Sequence, residues 1–312
     1  MENKSKNDAL KPSTSTLFIK DADRIDCASF EPNQGITGKS WHVDVFVTGE
    51  LDHNGFVYDF SLLKKTVKNI LKKSIDHALL IPIESKQVVF TNRDGEEHWS
   101  LQAKARLTNT DMEWQYTCPK GAVYPVRCTN ITREIVEQEC RRLIRHRLPS
   151  HISDVKVILR KEHGAKDESF FRYTHGITDH DGLCQRLFHG HRSKIEVYVG
   201  GEKRQDLERY VAHDLFGSIV HIASLSQIQA EDKPDLGIDR TAEGYTSLAY
   251  SGNLGGYQAK IPTNRIFFVP HQTSIERITA QIAEHLIDKF NLRAGVRVLC
   301  YEGIDKGSLI EL

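Results

Sequence analysis

The sequence lacks the features that mark membrane-spanning, secreted and nucleic-acid-binding proteins. No apolar run approaches the roughly 20 residues that a transmembrane helix needs, and the opening residues MENKSKNDALKPSTST lack the apolar stretch of a signal peptide. Lys plus Arg and Asp plus Glu each number 42, so no net charge favours nucleic acid or an anionic membrane. We therefore expect a cytoplasmic protein with neither nucleic-acid nor membrane partners.

Cysteine is sparse and forms no CxxC pair. The six cysteines are spread over 312 residues, a length that needs no disulfide staples, so we expect reduced thiols, most of them in the core. Hydrophobic residues make up 39% and charged residues 27%, the balance of an ordinary globular protein. The length is about twice that of a usual domain, which predicts two domains.

An internal repeat organises the chain. The segment GKSWHVDVFVTGE (Gly38–Glu50) aligns without gaps on GHRSKIEVYVGGE (Gly190–Glu202). Both alternate apolar and polar residues before a glycine turn, which is the pattern of a half-buried strand. Downstream, SIDHALL (Ser74–Leu80) matches SIVHIAS (Ser218–Ser224), each following a segment with helical spacing. The two halves therefore share one frame.

Each half has the same predicted order: two strands, a helix, an irregular hairpin region, a helix and a strand. The later helices, TREIVEQECRRLIRHRL and ERITAQIAEHLIDKF, are amphipathic and lead to strands that end at Glu162 and Glu302. This order predicts an α+β fold, with an antiparallel sheet and two helices on one face of each domain. We place the domains at residues 15–165 and 166–312, after a disordered tail at residues 1–14.

The residues that indicate chemistry lie together in FFRYTHGITDHDGLCQRLFHGHRSKIEVYV, residues 170–199. His189 and His191 stand two apart at the start of a strand, so their side chains leave the same face, and a hairpin brings His175 alongside. Three imidazoles without a fourth protein ligand leave an open coordination position, as in catalytic zinc sites. An isolated HxH is more often a pair of ordinary strand histidines, but His175 and Cys184 in the same window favour the metal site.

Cys184 lies five residues before His189, in a loop that must pass close to the metal. A thiol near a cation loses its proton more readily, and the thiolate can act as base or nucleophile. A cysteine taken alone is more often a small buried apolar residue. Its position beside the histidines favours a catalytic role.

At these residues the sequence resembles the 6-pyruvoyl-tetrahydropterin synthase family, which includes the 6-carboxy-tetrahydropterin synthases. The matching pieces are His175, Cys184 shortly before HGH, and a strand that ends in Gly-Glu. The resemblance implies T-fold (tunnelling) domains whose sheets close into a barrel by oligomerisation, and therefore a homo-oligomer. It also implies Zn²⁺ bound by His175, His189 and His191, with Cys184 as the catalytic base.

Domain one resembles the same family over residues 49–80. There the family's Asp-His pair, which activates the cysteine from a neighbouring subunit, is present as Asp76 and His77. A DH pair by itself is weak evidence, because His77 capping a helix or packing in the core would explain it equally well. The state of the metal site in each half decides between these interpretations.

The losses in the two halves are complementary. Thr37 and Lys39 stand where domain two has the histidines of HGH, so domain one lacks the metal ligands. Domain two has Val220 in place of the aspartate, although His221 remains. We therefore predict a single active site shared between the halves, with metal and thiol from domain two and the Asp-His pair from domain one.

The resemblance implies a lyase that converts 7,8-dihydroneopterin triphosphate to 6-pyruvoyl- or 6-carboxy-tetrahydropterin with loss of triphosphate. A late glutamate anchors the pterin ring in the family, and we assign this role to Glu302 rather than Glu162 because Glu302 lies in the metal-bearing domain. The alternatives are a non-catalytic pterin-binding protein and a zinc hydrolase of a related cyclic substrate. Four nearby basic residues could contact the triphosphate, although in a neutral protein most such residues are solvated surface: Arg172, Arg186, Arg192 and Lys194.

Overall fold

A computed structural model describes residues 13–91, 98–107, 110–164, 168–218, 220–230, 233–293 and 295–312. The predicted tail at residues 1–14 thus lies outside the described residues, except for its last two. One of these, Thr14, already begins the first strand. In the described part of the chain, no helix combines the length and the apolar character needed to span a bilayer.

The described residues include seventeen strands and four α-helices. In chain order they are β1 (Thr14–Glu31), β2 (Gly35–Glu50), α1 (Phe60–Lys72), β3 (Leu79–Pro82), β4 (Val88–Thr91), β5 (His98–Leu107), β6 (Thr110–Pro119), β7 (Val123–Val126), α2 (Arg133–Arg145), β8 (Ile152–Arg160), β9 (Ser169–His175), β10 (His189–Val199), β11 (Glu202–Lys203), α3 (Gln205–Arg209), β12 (Val220–Ser224), β13 (Tyr245–Gly252), β14 (Gly255–Pro262), β15 (Ile266–Val269), α4 (Ile275–Phe290), β16 (Val296–Tyr301) and β17 (Gly307–Glu311). A π-helical segment, Tyr210–Leu215, continues α3.

The first half forms a five-stranded sheet in the order β7-β3-β1-β2-β8. The strands β1, β2 and β8 are antiparallel, as predicted. By contrast, β3 and β7 run parallel to β1. The connection from β1 to its parallel neighbour β3 runs through β2 and α1, because two parallel strands cannot be joined by a tight turn.

The second half repeats this plan in the order β15-β12-β9-β10-β16-β17, with β11 paired to β10. The hairpin of β9 and β10 corresponds to that of β1 and β2. The strand β12 pairs parallel with β9, and β15 pairs parallel with β12. The predicted α+β class with two tandem T-fold-like domains is therefore confirmed.

Helices cover one face of each sheet because their apolar residues recur every four positions. In α1 the buried residues are Leu63, Val67 and Leu71, and they pack against inward-facing sheet residues such as Val43 and Val45. Asp59 caps the start of α1, accepting a hydrogen bond of 2.6 Å from the backbone N–H three residues on. The opposite faces of the two sheets pack against the remaining hairpins of the chain.

A third sheet, β13-β14-β6-β5-β4, is built from hairpins of both halves. It forms where β14 of the second half pairs antiparallel with β6 of the first. Sequence patterns predicted these segments only as irregular hairpins. The sheet closes a core shared by both halves, in which Tyr116 packs edge-on against Phe188 with ring centroids 4.7 Å apart. This core fixes the chain immediately before the HGH segment.

The two central hairpins touch at equivalent glycines of the repeat, Gly38 and Gly190. A Cβ atom on Gly190 would lie 2.7 Å from the Cα of Gly38, and a Cβ on Gly38 would collide with the backbone of Tyr173 and His191. Only glycine permits so close a backbone approach. The start of β10, with its histidines, is therefore held against β1 and β2 of the other half.

Candidate active site

Three buried histidines converge where β9 ends and β10 begins. His175 pairs with His189 in the register of the hairpin, and His191 follows two residues later on the same face. One ring nitrogen of each lies within 4.8 Å of the corresponding nitrogens of the other two. The Nε2 atoms of His175 and His191 are 3.2 Å apart.

Hydrogen bonds on the outer side of two rings fix their tautomers. His175 Nδ1 lies 2.7 Å from the carbonyl oxygen of Thr273, and His189 Nδ1 lies 2.9 Å from that of Arg186. A carbonyl only accepts, so both Nδ1 atoms carry the proton and both Nε2 atoms present a lone pair to the cluster. Burial, together with the neighbouring imidazoles, holds the pKa of His175 and of His189 well below the usual range, so both rings are neutral.

This arrangement fits a metal ion. The Nε2 atoms of His175 and His191 face each other at 3.2 Å, and the Nε2 of His189 is buried without a hydrogen-bond partner among the described residues. A tetrahedral zinc ion with Zn–N distances of about 2.0–2.1 Å sets its ligand nitrogens roughly 3.3 Å apart. Among the described histidines, cysteines and acidic residues, no fourth side chain joins the group, which leaves a coordination position open.

The Asp-His pair of the first half lies directly beside this cluster. His77 Nδ1 is 2.9 Å from Asp76 Oδ2, and the His77 ring stacks on His189. Burial lowers the pKa of His77, but Asp76 and Cys184 raise it further, to about 10.

Cys184 differs from the other cysteines in its exposure. All six are free thiols, but the other five are buried, whereas Cys184 is partly exposed. It lies in a short 3₁₀ turn, Leu183–Gln185, anchored where its carbonyl accepts a 2.9 Å hydrogen bond from Ile177 N–H. The thiol is therefore held near His77 while one side remains accessible.

Glu302 follows β16, as predicted. Its backbone N–H donates to the carbonyl oxygen of Lys306 at 2.9 Å, and its Oε2 lies 3.5 Å from Lys306 Nζ. The same ammonium lies 3.5 Å from Oδ2 of Asp26, a residue of the first half. Lys306 thus links Glu302 to the interface at which the histidines lie.

Comparison with known proteins bears directly on this arrangement. The family model for 6-pyruvoyl tetrahydropterin synthase matches the chain twice, over residues 18–160 and 165–303. The chain belongs to the 6-pyruvoyl tetrahydropterin synthase family. Both halves are members, so the repeat is a tandem of family domains, and the function is of the tetrahydropterin synthase type.

Solved structures of 6-pyruvoyl tetrahydropterin synthases from Plasmodium are similar to this chain. The Plasmodium falciparum protein is 19% identical, over 48% of this chain and 99% of that one, with a TM-score of 0.36. The Plasmodium vivax protein is 16% identical over the same shares, also with a TM-score of 0.36. A search of curated proteins found no match.

Two residues of this tetrahydropterin synthase homologue make contacts near the site that the sequence did not predict. Asp26 Oδ1 lies 3.3 Å from Nδ1 of His191, although the two residues belong to different halves. Arg186, one of the candidates for contacting triphosphate, is 8% exposed and donates to the carbonyl oxygen of Asp76 at 3.2 Å. Nothing in the sequence of β1 singles out Asp26, since Asp21 and Asp23 precede it in the same strand.

In the first half, an ion pair takes the place of the metal ligands. By strand register, Ser29, Thr37 and Lys39 occupy the positions of the three histidines. The Lys39 ammonium pairs with Glu31, and the Ser29 hydroxyl donates to the same carboxylate at 3.3 Å. A fixed ammonium at a ligand position repels a metal ion, so this half offers no comparable donor set.

Proposed function

We propose that the chain is a zinc-dependent tetrahydropterin synthase with one active site per chain, assembled from both halves. Its substrate is 7,8-dihydroneopterin triphosphate, and its product is 6-pyruvoyl- or 6-carboxy-tetrahydropterin, formed with loss of triphosphate. The observations that carry the proposal are the stacking of His77 on His189 and the 2.9 Å contact of His77 with Asp76, with Cys184 near enough to raise the pKa of His77. They bring a proton-transfer pair and a metal-binding set into one site.

In this proposal His175, His189 and His191 hold the metal ion. A bound dication supplies Lewis acidity, which stabilises negative charge developing on a substrate oxygen. The neutral state of His175 and His189 suits this role, because an imidazole must be unprotonated to bind a metal.

Proton transfer falls to Cys184 and His77. The partly exposed thiol exchanges protons at the side-chain carbons of the substrate, and the neighbouring His77 takes up or returns the thiol proton. Asp76, 2.9 Å from His77 Nδ1, orients the ring and stabilises its protonated form. The surrounding burial keeps bulk water from competing for these protons.

Glu302 anchors the pterin in this proposal. A carboxylate can accept two parallel hydrogen bonds from the 2-amino group and the adjacent ring nitrogen. Lys306 contacts only Oε2 of Glu302, and a carboxylate has further acceptor positions on both oxygens. Glu302 can therefore keep its ion pair with Lys306 and still accept hydrogen bonds from a pterin.

The deciding experiment is turnover by the purified, zinc-loaded chain. We expect release of triphosphate from 7,8-dihydroneopterin triphosphate, with the pterin product identified by mass spectrometry. Acetaldehyde accompanies the 6-carboxy product and is absent for the 6-pyruvoyl product. A His191→Ala variant serves as the inactive control. Tight binding of the pterin without turnover would instead support a non-catalytic pterin-binding protein.

A further inference from the structure

Asp26 presents a buried carboxylate at the junction of the two halves. It lies on β1 and is 7% exposed, and its Oδ1 lies 3.3 Å from Nδ1 of His191, a buried nitrogen without a conventional hydrogen bond among the described residues. The hydroxyl of Ser40 donates to the same oxygen at 2.5 Å, and Lys306 Nζ lies 3.5 Å from the other. Gly303 packs so closely that a Cβ there would collide with the carboxylate. The Asp26 side chain is therefore tightly confined.

The backbone of Asp26 holds the Asp-His pair. Its N–H donates to Asp76 Oδ1 at 3.1 Å, and its carbonyl oxygen accepts from His77 N–H at 2.6 Å. His77 has a φ of 57°, in the left-handed region that a residue with a side chain adopts only when its surroundings enforce it. Asp26 supplies part of that enforcement, so one residue contacts both a metal-ligand candidate and the proton-transfer pair.

We propose that Asp26 is a positioning residue that couples the metal set of one half to the Asp-His pair of the other. Its carboxylate accepts the proton of His191 Nδ1, which turns the Nε2 lone pair toward the metal, while its backbone sets the place of His77. This inference rests on the proposed function. Histidine ligands in metal sites regularly donate their outer N–H to a carboxylate or carbonyl.

The chemistry of the three outer contacts supports this role. His175 and His189 donate to backbone carbonyls, whereas His191 alone faces a carboxylate. Burying a carboxylate is unfavourable unless it is well paired, and here the partners are an imidazole, a hydroxyl and an ammonium. If Asp26 served only to hold the two halves together, no carboxylate would be needed beside the His191 ring.

The test is metal affinity, measured with Zn²⁺ alone in competition with a chromophoric chelator, with Co²⁺ absorption reporting the ligand geometry. We expect Asp26→Asn to weaken zinc binding by about 10- to 100-fold and to alter the Co²⁺ spectrum. The asparagine amide can donate to Nδ1 of His191 and so favour the tautomer whose Nε2 carries the proton. Asp44→Asn is the matched control, because Asp44 is also a buried carboxylate but is paired with Arg160, away from the cluster.

Ser40→Ala provides a second variant in case Asp26→Asn does not fold. It removes the hydroxyl that donates to the carboxylate and accepts from Arg192 N–H, and we expect a several-fold loss of zinc affinity. Wild-type affinity and an unchanged Co²⁺ spectrum in the folded variants would overturn the role of Asp26 and leave the proposed function standing. Failure of the wild-type chain to bind zinc would overturn both.

Discussion

His77 of the first half stacks on His189 of the second, with ring centroids 5.3 Å apart and planes inclined by 24°. The counterpart in the repeat, His221, behaves differently: it meets Phe188 of its own half edge-on and lies 2.9 Å from Thr174 Oγ1. Burial lowers the pKa of His221 to about 3, as for a neutral core histidine. The repeat therefore places only one of its two equivalent histidines against the metal cluster.

Asp76→Asn should lower kcat by roughly 100- to 10,000-fold, the usual contribution of general acid–base catalysis. The amide keeps an oxygen that can accept from Asp26 N–H, so the fold persists, but the negative charge beside His77 is lost. Steady-state kinetics with 7,8-dihydroneopterin triphosphate measure the effect, with zinc content determined in parallel.

Zinc content should stay at the wild-type level in Asp76→Asn, because none of the three histidines depends on Asp76 for its hydrogen bonds. The control is Asp154→Asn, which removes an exposed carboxylate paired with Arg141. It should leave both kcat and zinc content unchanged. An unaltered kcat in Asp76→Asn would mean that the first half is only a scaffold.

Cys184→Ala should retain zinc and bind the pterin substrate but lose turnover. The thiol is the group that His77 meets across the site, and alanine keeps the turn while removing the proton carrier. Isothermal titration with substrate and a single-turnover assay separate binding from chemistry. Cys118→Ala is the control, since Cys118 lies buried in the shared core. Full activity of Cys184→Ala would exclude the thiol from catalysis.

The metal cluster could be predicted because its residues are close in sequence. Strand alternation alone places His189 and His191 on one face, and a hairpin adds His175. The exposure of Cys184 beside them is likewise a local property of one turn. The repeat also drew attention to Asp76 and His77, because the resemblance placed this pair in the half that lacks the HGH histidines.

Contacts between distant residues could not be predicted. Asp26 meets His191 only because the two hairpins cross at their glycines, and nothing in the periodicity of β1 specifies that crossing. The third sheet depends on the pairing of Gln258 with Thr117, which joins hairpins from different halves. Such pairings are set by the whole fold rather than by local patterns.

The purified chain should bind one zinc ion, not two. The Lys39–Glu31 ion pair fills the first half's counterpart of the metal site, and an ammonium cannot act as a ligand. Elemental analysis after gel filtration, referred to protein concentration, gives the ratio directly. His191→Ala should lose nearly all bound zinc, since no equivalent set remains in the described residues. Two ions per wild-type chain would contradict the decay of the first site.

Stability in acid should depend on Asp44. Its side chain is fully buried and receives hydrogen bonds of 2.8 and 3.0 Å from Arg160 and of 2.9 Å from Asp21 N–H. Burial raises the pKa of Asp44, but Arg160 and the Asp21 amide lower it further, to about 2. The unfolded value is about 3.9, so the folded state favours the charged form.

A folded-state pKa below the unfolded one stabilises the protein fully above about pH 4, and this contribution disappears as the pH falls toward 2. Its size is about 2 kcal/mol for a shift of this extent. Urea unfolding at pH 6 and pH 3 should therefore show a larger loss of stability for the wild type than for Asp44→Asn, which has no carboxyl to titrate there. Asp154→Asn should follow the wild type, because exposed ion pairs contribute little. Equal losses in Asp44→Asn and the wild type would show that another group controls the acid response.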